Sequence, residues 1–112
     1  MIAEKVREAD TLVFVTPIYY YEMSGQMKTL LDRGNPLFVA DYRFRDVYLL
    51  TSAAEDEDFV PQRAVSGLEG WIECFPKARL AGTVFGGGVT ETGEMKDHPE
   101  KLRAARALGR DV

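Results

Sequence analysis

The sequence predicts an α/β protein in which three parallel strands form a small sheet with helices on both faces. A continuous apolar, β-branched run without polar alternation predicts a buried strand at residues 11–15, and residues 47–51 and 80–85 are predicted to form the second and third strands. Segments with apolar residues at helical spacing lie between and around these strands, so the predicted order is αβαβαβα. Right-handed crossovers between consecutive strands would place helices on both faces of the sheet.

The first two helices are predicted from their apolar spacing and from a capping residue. Ile2, Val6 and Ala9 recur at helical spacing before the first strand. After a tyrosine-rich loop, Ser24 can accept hydrogen bonds from the first free amides of a helix at residues 25–33. The first crossover is therefore predicted to be strand, loop and helix.

The last two helices are predicted from the residues at which they begin. Pro61 suits an early position of a helix that reaches residue 75. Asp97 and Glu100 resemble a capping box for a final helix that ends at residue 108. These two helices complete the predicted alternation of strands and helices.

Composition limits the partners that this protein can have. Of the 112 residues, 46% are hydrophobic and 29% are charged, and 14 Lys and Arg against 18 Asp and Glu give a net charge of −4. We expect one domain over residues 1–112. An acidic chain lacks the positive field that attracts nucleic acid or anionic lipid. No uncharged stretch approaches the roughly 20 apolar residues of a membrane span, so we expect neither partner.

The single cysteine and the first residues bear on the cellular compartment. Cys74 has no second cysteine with which to form an internal disulfide, and no His or Cys lies at metal-ligand spacing. The first ten residues include Glu4, Lys5, Arg7 and Glu8 and lack the apolar core of a signal peptide. We therefore expect a cytoplasmic protein that is stabilised by packing, without a structural metal.

The carboxyl ends of the predicted strands form the candidate site, because open parallel sheets bind ligands in the crevice at this edge. The segments that follow the strands are TPIYYYEMS (16–24), TSAA (51–54) and GGGVT (86–90). They offer aromatic faces, small residues and backbone amides. The three glycines either let the backbone approach a ligand or make the bend that leaves the sheet, and the residues alone favour neither.

The segment TPIYYYEMSGQMKTLLDR resembles the strand, loop and helix signature of NAD(P)H-dependent FMN reductases and iron-sulfur flavoproteins, which have the flavodoxin-like fold. The later segment GTVFGGGVTETGE and a final helix that ends in Ala-Leu-Gly resemble the last strand and helix of that family. The resemblance extends over nearly the whole chain. The residues that carry it, in order after the first strand, are Pro17, Tyr19, Ser24, Gly25, Lys28, Asp32 and Arg33.

The resemblance implies that these segments hold the isoalloxazine ring of FMN, with NAD(P)H as the electron donor. A flat apolar ring with one polar edge needs an aromatic or methyl-lined wall and several hydrogen-bonding groups. Tyr19, Tyr20 and Met23 are the candidate wall, unless the tyrosines only pack on a neighbour. The candidate cofactor-binding residues are Thr16, Pro17, Ile18, Tyr19, Tyr20, Met23, Ser24, Ser52 and Gly87. The flavin carries the chemistry, so no catalytic side chain is predicted.

The sequence lacks one part of the flavodoxin-like fold. The family has five strands in the order 2-1-3-4-5 and binds the FMN phosphate in a Gly/Ser/Thr-rich loop after its first strand. The strands here resemble the last three, so the resemblance implies a truncated three-layer sandwich. Losing three or four charge-assisted hydrogen bonds of about 1.5–3 kcal/mol each would weaken FMN binding by several powers of ten. The strand from Thr11 to Val15 becomes a bare edge, which predicts a homodimer or a complex that covers it.

Three hypotheses about function follow. The first is an FMN-binding NAD(P)H-dependent oxidoreductase in shortened form, whose partners are flavin and nicotinamide nucleotides. The second is a non-catalytic assembly module that has lost the flavin. The third is one half of a split flavoprotein, in which a separate polypeptide supplies the first two strands and the phosphate loop. Flavin binding by the purified chain distinguishes the first hypothesis from the second.

Overall fold

A computed structural model describes residues 2–38 and 40–112, and within these residues it contains four α-helices and a four-stranded sheet. The strands are β1 (Thr11–Tyr19), β2 (Glu22–Met23), β3 (Asp46–Ser52) and β4 (Arg79–Gly86). The helices are α1 (Ile2–Glu8), α2 (Gly25–Asp32), α3 (Gln62–Glu73) and α4 (Pro99–Gly109), and the 3-10 helices are Asn35–Leu37 and Glu94–Asp97. No helix in the described ranges is both long and apolar enough to cross a bilayer.

The sheet has the order β2-β1-β3-β4, and β1, β3 and β4 are parallel. Leu12 lies opposite Val47, and Leu50 lies opposite Val84. The three predicted parallel strands are therefore confirmed. The short antiparallel strand β2, which pairs with the end of β1, was not predicted.

The end of the first strand differs from the prediction. The strand was predicted over residues 11–15, but β1 continues to Tyr19, and Pro17 lies opposite Ser52 in the parallel pairing. Proline lacks a backbone N–H and is accepted in edge strands, where one side of the backbone needs no partner. The outer side of β1 at Pro17 is such an edge, because β2 pairs only with Ile18 and Tyr19.

One face of the sheet carries the main hydrophobic core. An aromatic cluster fills the space under the sheet: the Phe44 ring is stacked 6.0 Å from Trp71, and Trp71 lies 4.6 Å from Phe75. The indole Nε1 of Trp71 donates a hydrogen bond to the Leu31 carbonyl, which fixes α3 against α2. The core residues of this face are Leu12, Phe14, Met27, Leu31, Leu37, Tyr42, Phe44, Val47, Leu49, Leu68, Ile72 and Phe75.

The final helix packs on the opposite face, which confirms the prediction of helices on both faces. A Cβ on Gly82 of β4 would lie 2.6 Å from Leu108 of α4 and 3.3 Å from the Tyr48 ring, so the absence of a side chain at Gly82 lets Leu108 pack closely on this face. The first strand was expected to be covered on both faces, and this was wrong. Val13 and Val15 are 50% and 64% exposed, because α4 lies over β4 and leaves β1 open.

The start of α4 also differs from the expected capping box. Asp97 ends a 3-10 helix, and the residue at the helix N-cap is His98, whose side chain makes no capping hydrogen bond. Pro99 occupies the first turn instead, where its missing N–H leaves one fewer amide to satisfy. Proline thus begins this helix without a polar cap.

Replacing Phe44 with alanine should lower the free energy of unfolding by about 3–5 kcal/mol, because the fully buried ring would leave a cavity in the aromatic cluster. Urea denaturation followed by circular dichroism measures the change. Phe38→Ala is the matched control, since Phe38 is exposed and its loss should change the free energy by less than about 0.5 kcal/mol. Equal effects of the two substitutions would contradict this account of the core.

Candidate functional site

The candidate site is centred on a β-hairpin at the carboxyl end of β1, which we call the tyrosine hairpin (residues 18–23). Ile18 lies opposite Met23, and Tyr19 lies opposite Glu22. Tyr20 and Tyr21 form the two-residue turn with φ angles of 50° and 66°. Such turns require positive φ at both central residues and usually contain Asn-Gly or Gly-Gly. The left-handed conformation costs an ordinary residue roughly 1–2 kcal/mol, so this turn is strained.

Two aromatic rings at this turn, those of Tyr19 and Tyr20, lie in solvent. Tyr20 is 96% exposed, and Tyr19 beside it is also largely exposed. Burial therefore does not explain why tyrosines occupy these positions. Strained backbone of this kind is concentrated at functional sites, where the surrounding structure maintains it. The two rings are the clearest candidates for a ligand-binding surface at this edge of the sheet.

Two hydroxyl groups join the base of the tyrosine hairpin to α2. The buried Thr16 Oγ1 accepts a hydrogen bond from the Ser24 amide at 2.9 Å and donates one to the Pro17 carbonyl at 2.8 Å. Ser24 Oγ in turn accepts a hydrogen bond from the Met27 amide at 3.1 Å, which confirms Ser24 as the N-cap. Both side chains therefore position the hairpin from inside the fold.

Met23 does not join the two exposed tyrosines. Its Cε lies 3.0 Å from the position that a Cβ on Gly67 of α3 would occupy, and the side chain packs against the core. Met23 is opposite Ile18 in the hairpin, so its side chain lies on the other face from that of Tyr19. The wall predicted from three residues thus has two members at the surface, Tyr19 and Tyr20.

The tip of the hairpin contacts the loop that follows β3. The Tyr21 hydroxyl donates a hydrogen bond to Glu55 Oε1 at 2.9 Å, and its ring lies 5.8 Å from the Phe59 ring. This hydrogen bond and the negative charge of Glu55 raise the pKa of Tyr21. The sequence analysis did not predict this contact. No local pattern could reveal it, because 34 positions separate the partners.

The ends of β1, β3 and β4 meet at the same edge, as predicted. Ser52 lies opposite both Pro17 and Gly86. The Ala53 amide donates a hydrogen bond to the Gly86 carbonyl at 3.1 Å, which joins the loops after β3 and β4. A Cβ on Gly87 would lie only 2.7 Å from the Cα of Asp56, so Gly87 allows these two loops to pack closely.

Within residues 2–38 and 40–112, no three His, Cys, Asp or Glu side chains are grouped so that they could hold a metal ion. Exposed aromatic rings and backbone groups lie at the strand ends of this edge, where they can contact a ligand. Together with the parallel sheet and the helices on both faces, they define a flavodoxin-like α/β protein with its candidate site at the carboxyl edge.

Solved structures confirm the fold. The chain is similar to the Trp repressor binding protein from Bacillus subtilis, with a TM-score of 0.73 and 22% identity over 94% of this chain and 67% of that protein. It is also similar to the NAD(P)H:quinone oxidoreductase from Methanothermobacter marburgensis, with a TM-score of 0.64 and 20% identity over 93% of this chain and 57% of that protein.

Sequence comparison identifies the family. The family model described as NADPH-dependent FMN reductase matches residues 1–69, so the chain belongs to this family and the resemblance is confirmed. YwqN of Bacillus subtilis, named as an NAD(P)H-dependent FMN-containing oxidoreductase, is 26% identical over 97% of this chain and 64% of its own length. An iron-sulfur flavoprotein of Archaeoglobus fulgidus is 38% identical over 45 residues, which are 40% of this chain and 22% of that protein. The chain thus spans less than two thirds of either relative.

Replacing Tyr20 with glycine should raise the free energy of unfolding by roughly 0.5–1 kcal/mol, because glycine adopts positive φ without a Cβ clash. Urea denaturation measures the difference. Tyr19→Gly is the control, since residue 19 lies in extended β1 and glycine there should destabilise the chain by roughly the same amount. A Tyr20→Gly variant that is no more stable than the wild type would show that the turn is not strained.

Proposed function

We propose that this chain binds the ring of FMN at the tyrosine hairpin and functions in an NAD(P)H-dependent flavin oxidoreductase. The observation that carries the proposal is the pair of solvent-exposed rings, Tyr19 and Tyr20, beside a strained turn at the carboxyl edge of the sheet. The family and the name of YwqN support FMN as cofactor and NAD(P)H as donor. Organisation as one domain over residues 1–112 and a cytoplasmic location belong to the same proposal.

The hairpin fits the ring end of the cofactor. Tyr19 and Tyr20 offer aromatic surfaces against a flat apolar ring, and such contacts favour offset or edge geometry. Backbone groups of Ile18, Ser52 and Gly87 are the candidate contacts to the polar edge of the ring. When bound, the flavin would accept a hydride from the nicotinamide. The residues of this chain would bind and orient the ring, and no acid or base side chain is needed.

The same segments do not fit the phosphate end of FMN. The three segments at this edge, residues 16–24, 51–58 and 86–90, contain five acidic residues and no Lys or Arg. Like charges that face a phosphate oppose its binding, whereas phosphate sites use cations or helix amides. We therefore propose that this chain recognises the flavin ring and that the phosphate contributes little to its affinity.

Titration of the purified chain with FMN and with riboflavin, which lacks the phosphate, tests this proposal. Flavin fluorescence should report dissociation constants for the two ligands that agree within about threefold. One charge-assisted hydrogen bond to the phosphate would instead favour FMN by about tenfold or more. A strong preference for FMN would contradict the proposed ring recognition, and the absence of binding to both ligands would favour the non-catalytic module.

Replacing Tyr20 with alanine should weaken riboflavin binding by about two- to tenfold, because it removes one aromatic surface worth roughly 0.5–1.5 kcal/mol. Tyr19→Ala should act in the same direction. Phe38→Ala is the matched control, since this exposed ring lies outside the hairpin and its loss should leave the affinity unchanged. If both tyrosine variants bind riboflavin like the wild type, the ring does not bind at the hairpin.

We also propose that the open edge of β1 pairs with the same edge of a second copy. Within the residues that the structure describes, no strand lies on the outer side of residues 11–17, because β2 pairs with Ile18 and Tyr19. Val13 and Val15 are exposed on one face beside this edge, and an apolar groove of about 670 Å³ borders Phe14 on the other. Two-fold symmetry would pair the identical strands in antiparallel orientation and cover both edges.

Light scattering across a range of concentrations should give the mass of a dimer for the wild-type chain. The double variant Val13→Lys, Val15→Lys should be monomeric, because charges beside an exposed edge oppose strand pairing. Val112→Lys is the control, since Val112 is exposed to a similar extent and should leave the dimer intact. A monomeric wild type at high concentration would contradict the dimer and favour a strand from a separate polypeptide.

A further inference from the structure

The tyrosine hairpin has few interactions of its own to hold its tip in place. Only two residue pairs, Ile18 with Met23 and Tyr19 with Glu22, join its strands. Isolated two-stranded hairpins are marginally stable in water even when they are longer. The positive φ angles of Tyr20 and Tyr21 further disfavour the turn. Contacts outside the hairpin must therefore maintain its conformation.

The base and the tip of the hairpin have separate anchors. At the base, Thr16 Oγ1 accepts the hydrogen bond from the Ser24 amide, and Met23 packs beside Gly67. At the tip, the Tyr21 hydroxyl donates its hydrogen bond to Glu55, and its ring lies beside Phe59. We call this second anchor the Tyr21 clasp (Tyr21, Glu55 and Phe59). The clasp crosses from the end of β1 to the loop after β3.

The Tyr21 clasp bears directly on Tyr20. The Tyr20 ring is 96% exposed, so packing of its own side chain contributes little to its orientation. Its direction depends on the backbone of the turn, and Tyr21 is the next residue in that turn. An anchored Tyr21 therefore holds the backbone from which the Tyr20 ring extends and limits the directions in which that ring can point. A binding surface whose backbone is held before the ligand arrives loses less conformational entropy on binding.

We propose that Tyr21 is a positioning residue, which holds the hairpin tip through its hydrogen bond to Glu55 and thereby sets the affinity of Tyr20 for the flavin ring. This inference rests on the proposed function and adds a residue that does not touch the ligand. The hydrogen bond to Glu55 and its negative charge raise the pKa of Tyr21, which agrees with a phenol that donates its proton to this carboxylate. Arg63 acts in the opposite direction as a weaker influence.

The test measures riboflavin binding, since a neutral ligand removes the direct effect of changing the charge of Glu55. Tyr21→Phe keeps the ring beside Phe59 and removes the donor, and it should weaken binding about two- to tenfold. Glu55→Ala should weaken it similarly, and the double variant should be no worse than either single variant. Glu55→Gln keeps an acceptor oxygen and should restore most of the affinity.

Tyr48→Phe is the matched control, because it removes a hydroxyl whose acceptor is the Asp111 carbonyl, outside the hairpin. It should bind riboflavin like the wild type. If Tyr21→Phe also binds like the wild type, or if the two single losses add fully in the double variant, the proposal is overturned.

Amide hydrogen exchange tests whether the Tyr21 clasp orders the turn, independently of whether the chain binds flavin. The amides of residues 20–23 should exchange faster in Tyr21→Phe than in the wild type and in Tyr48→Phe. If the wild type binds no flavin, the proposed function fails, and exchange alone decides whether the clasp orders the turn. Unchanged exchange at these amides would contradict the proposal that the Tyr21 hydrogen bond holds the hairpin tip, whether or not the chain binds flavin.

Discussion

The hydrogen bond from the Ser24 amide to the buried Thr16 hydroxyl determines how the candidate site is built. The two partners are eight positions apart, so the chain that leaves β1 must return to the same point before α2 begins. Ser24 then caps α2, and the segment between the two residues folds as the tyrosine hairpin. The exposed rings of Tyr19 and Tyr20 are thus mounted on a junction that is buried and fully hydrogen-bonded. A site on such a support holds its geometry better than one on an unanchored loop.

The parts of the fold that depend on local patterns could be predicted from the sequence. Runs of mostly apolar residues indicated the three parallel strands, and Ser24 indicated the start of α2. The hairpin could not be predicted in this way, because Tyr20 and Tyr21 lack the Asn or Gly that signals a turn with positive φ. The contact between Tyr21 and Glu55 also has no local sequence pattern, because the two residues are 34 positions apart. The candidate segment could therefore be chosen from the sequence, whereas its conformation depends on tertiary contacts.

The apolar pattern of β1 was misleading for a related reason. Leu12 and Phe14 face the core, whereas Val13 and Val15 face solvent, although all four are equally typical of a buried strand. An apolar pattern indicates which surfaces favour burial. It does not show whether a helix of the same chain or a partner covers them. The exposed face and the open edge of β1 are the physical basis for proposing a second copy as partner. The acidic segments near the hairpin likewise favour recognition of the flavin ring over its phosphate.

The central claim is that the flavin ring contacts the tyrosine hairpin. Nuclear magnetic resonance of the isotope-labelled chain titrated with riboflavin tests it most directly. The account predicts that chemical shifts change at the amides of residues 16–24 and 51–54, while the indole signal of Trp71, which borders the apolar groove, stays constant. Shifts confined to Trp71 and the residues around it, with no change in the hairpin, would contradict the account.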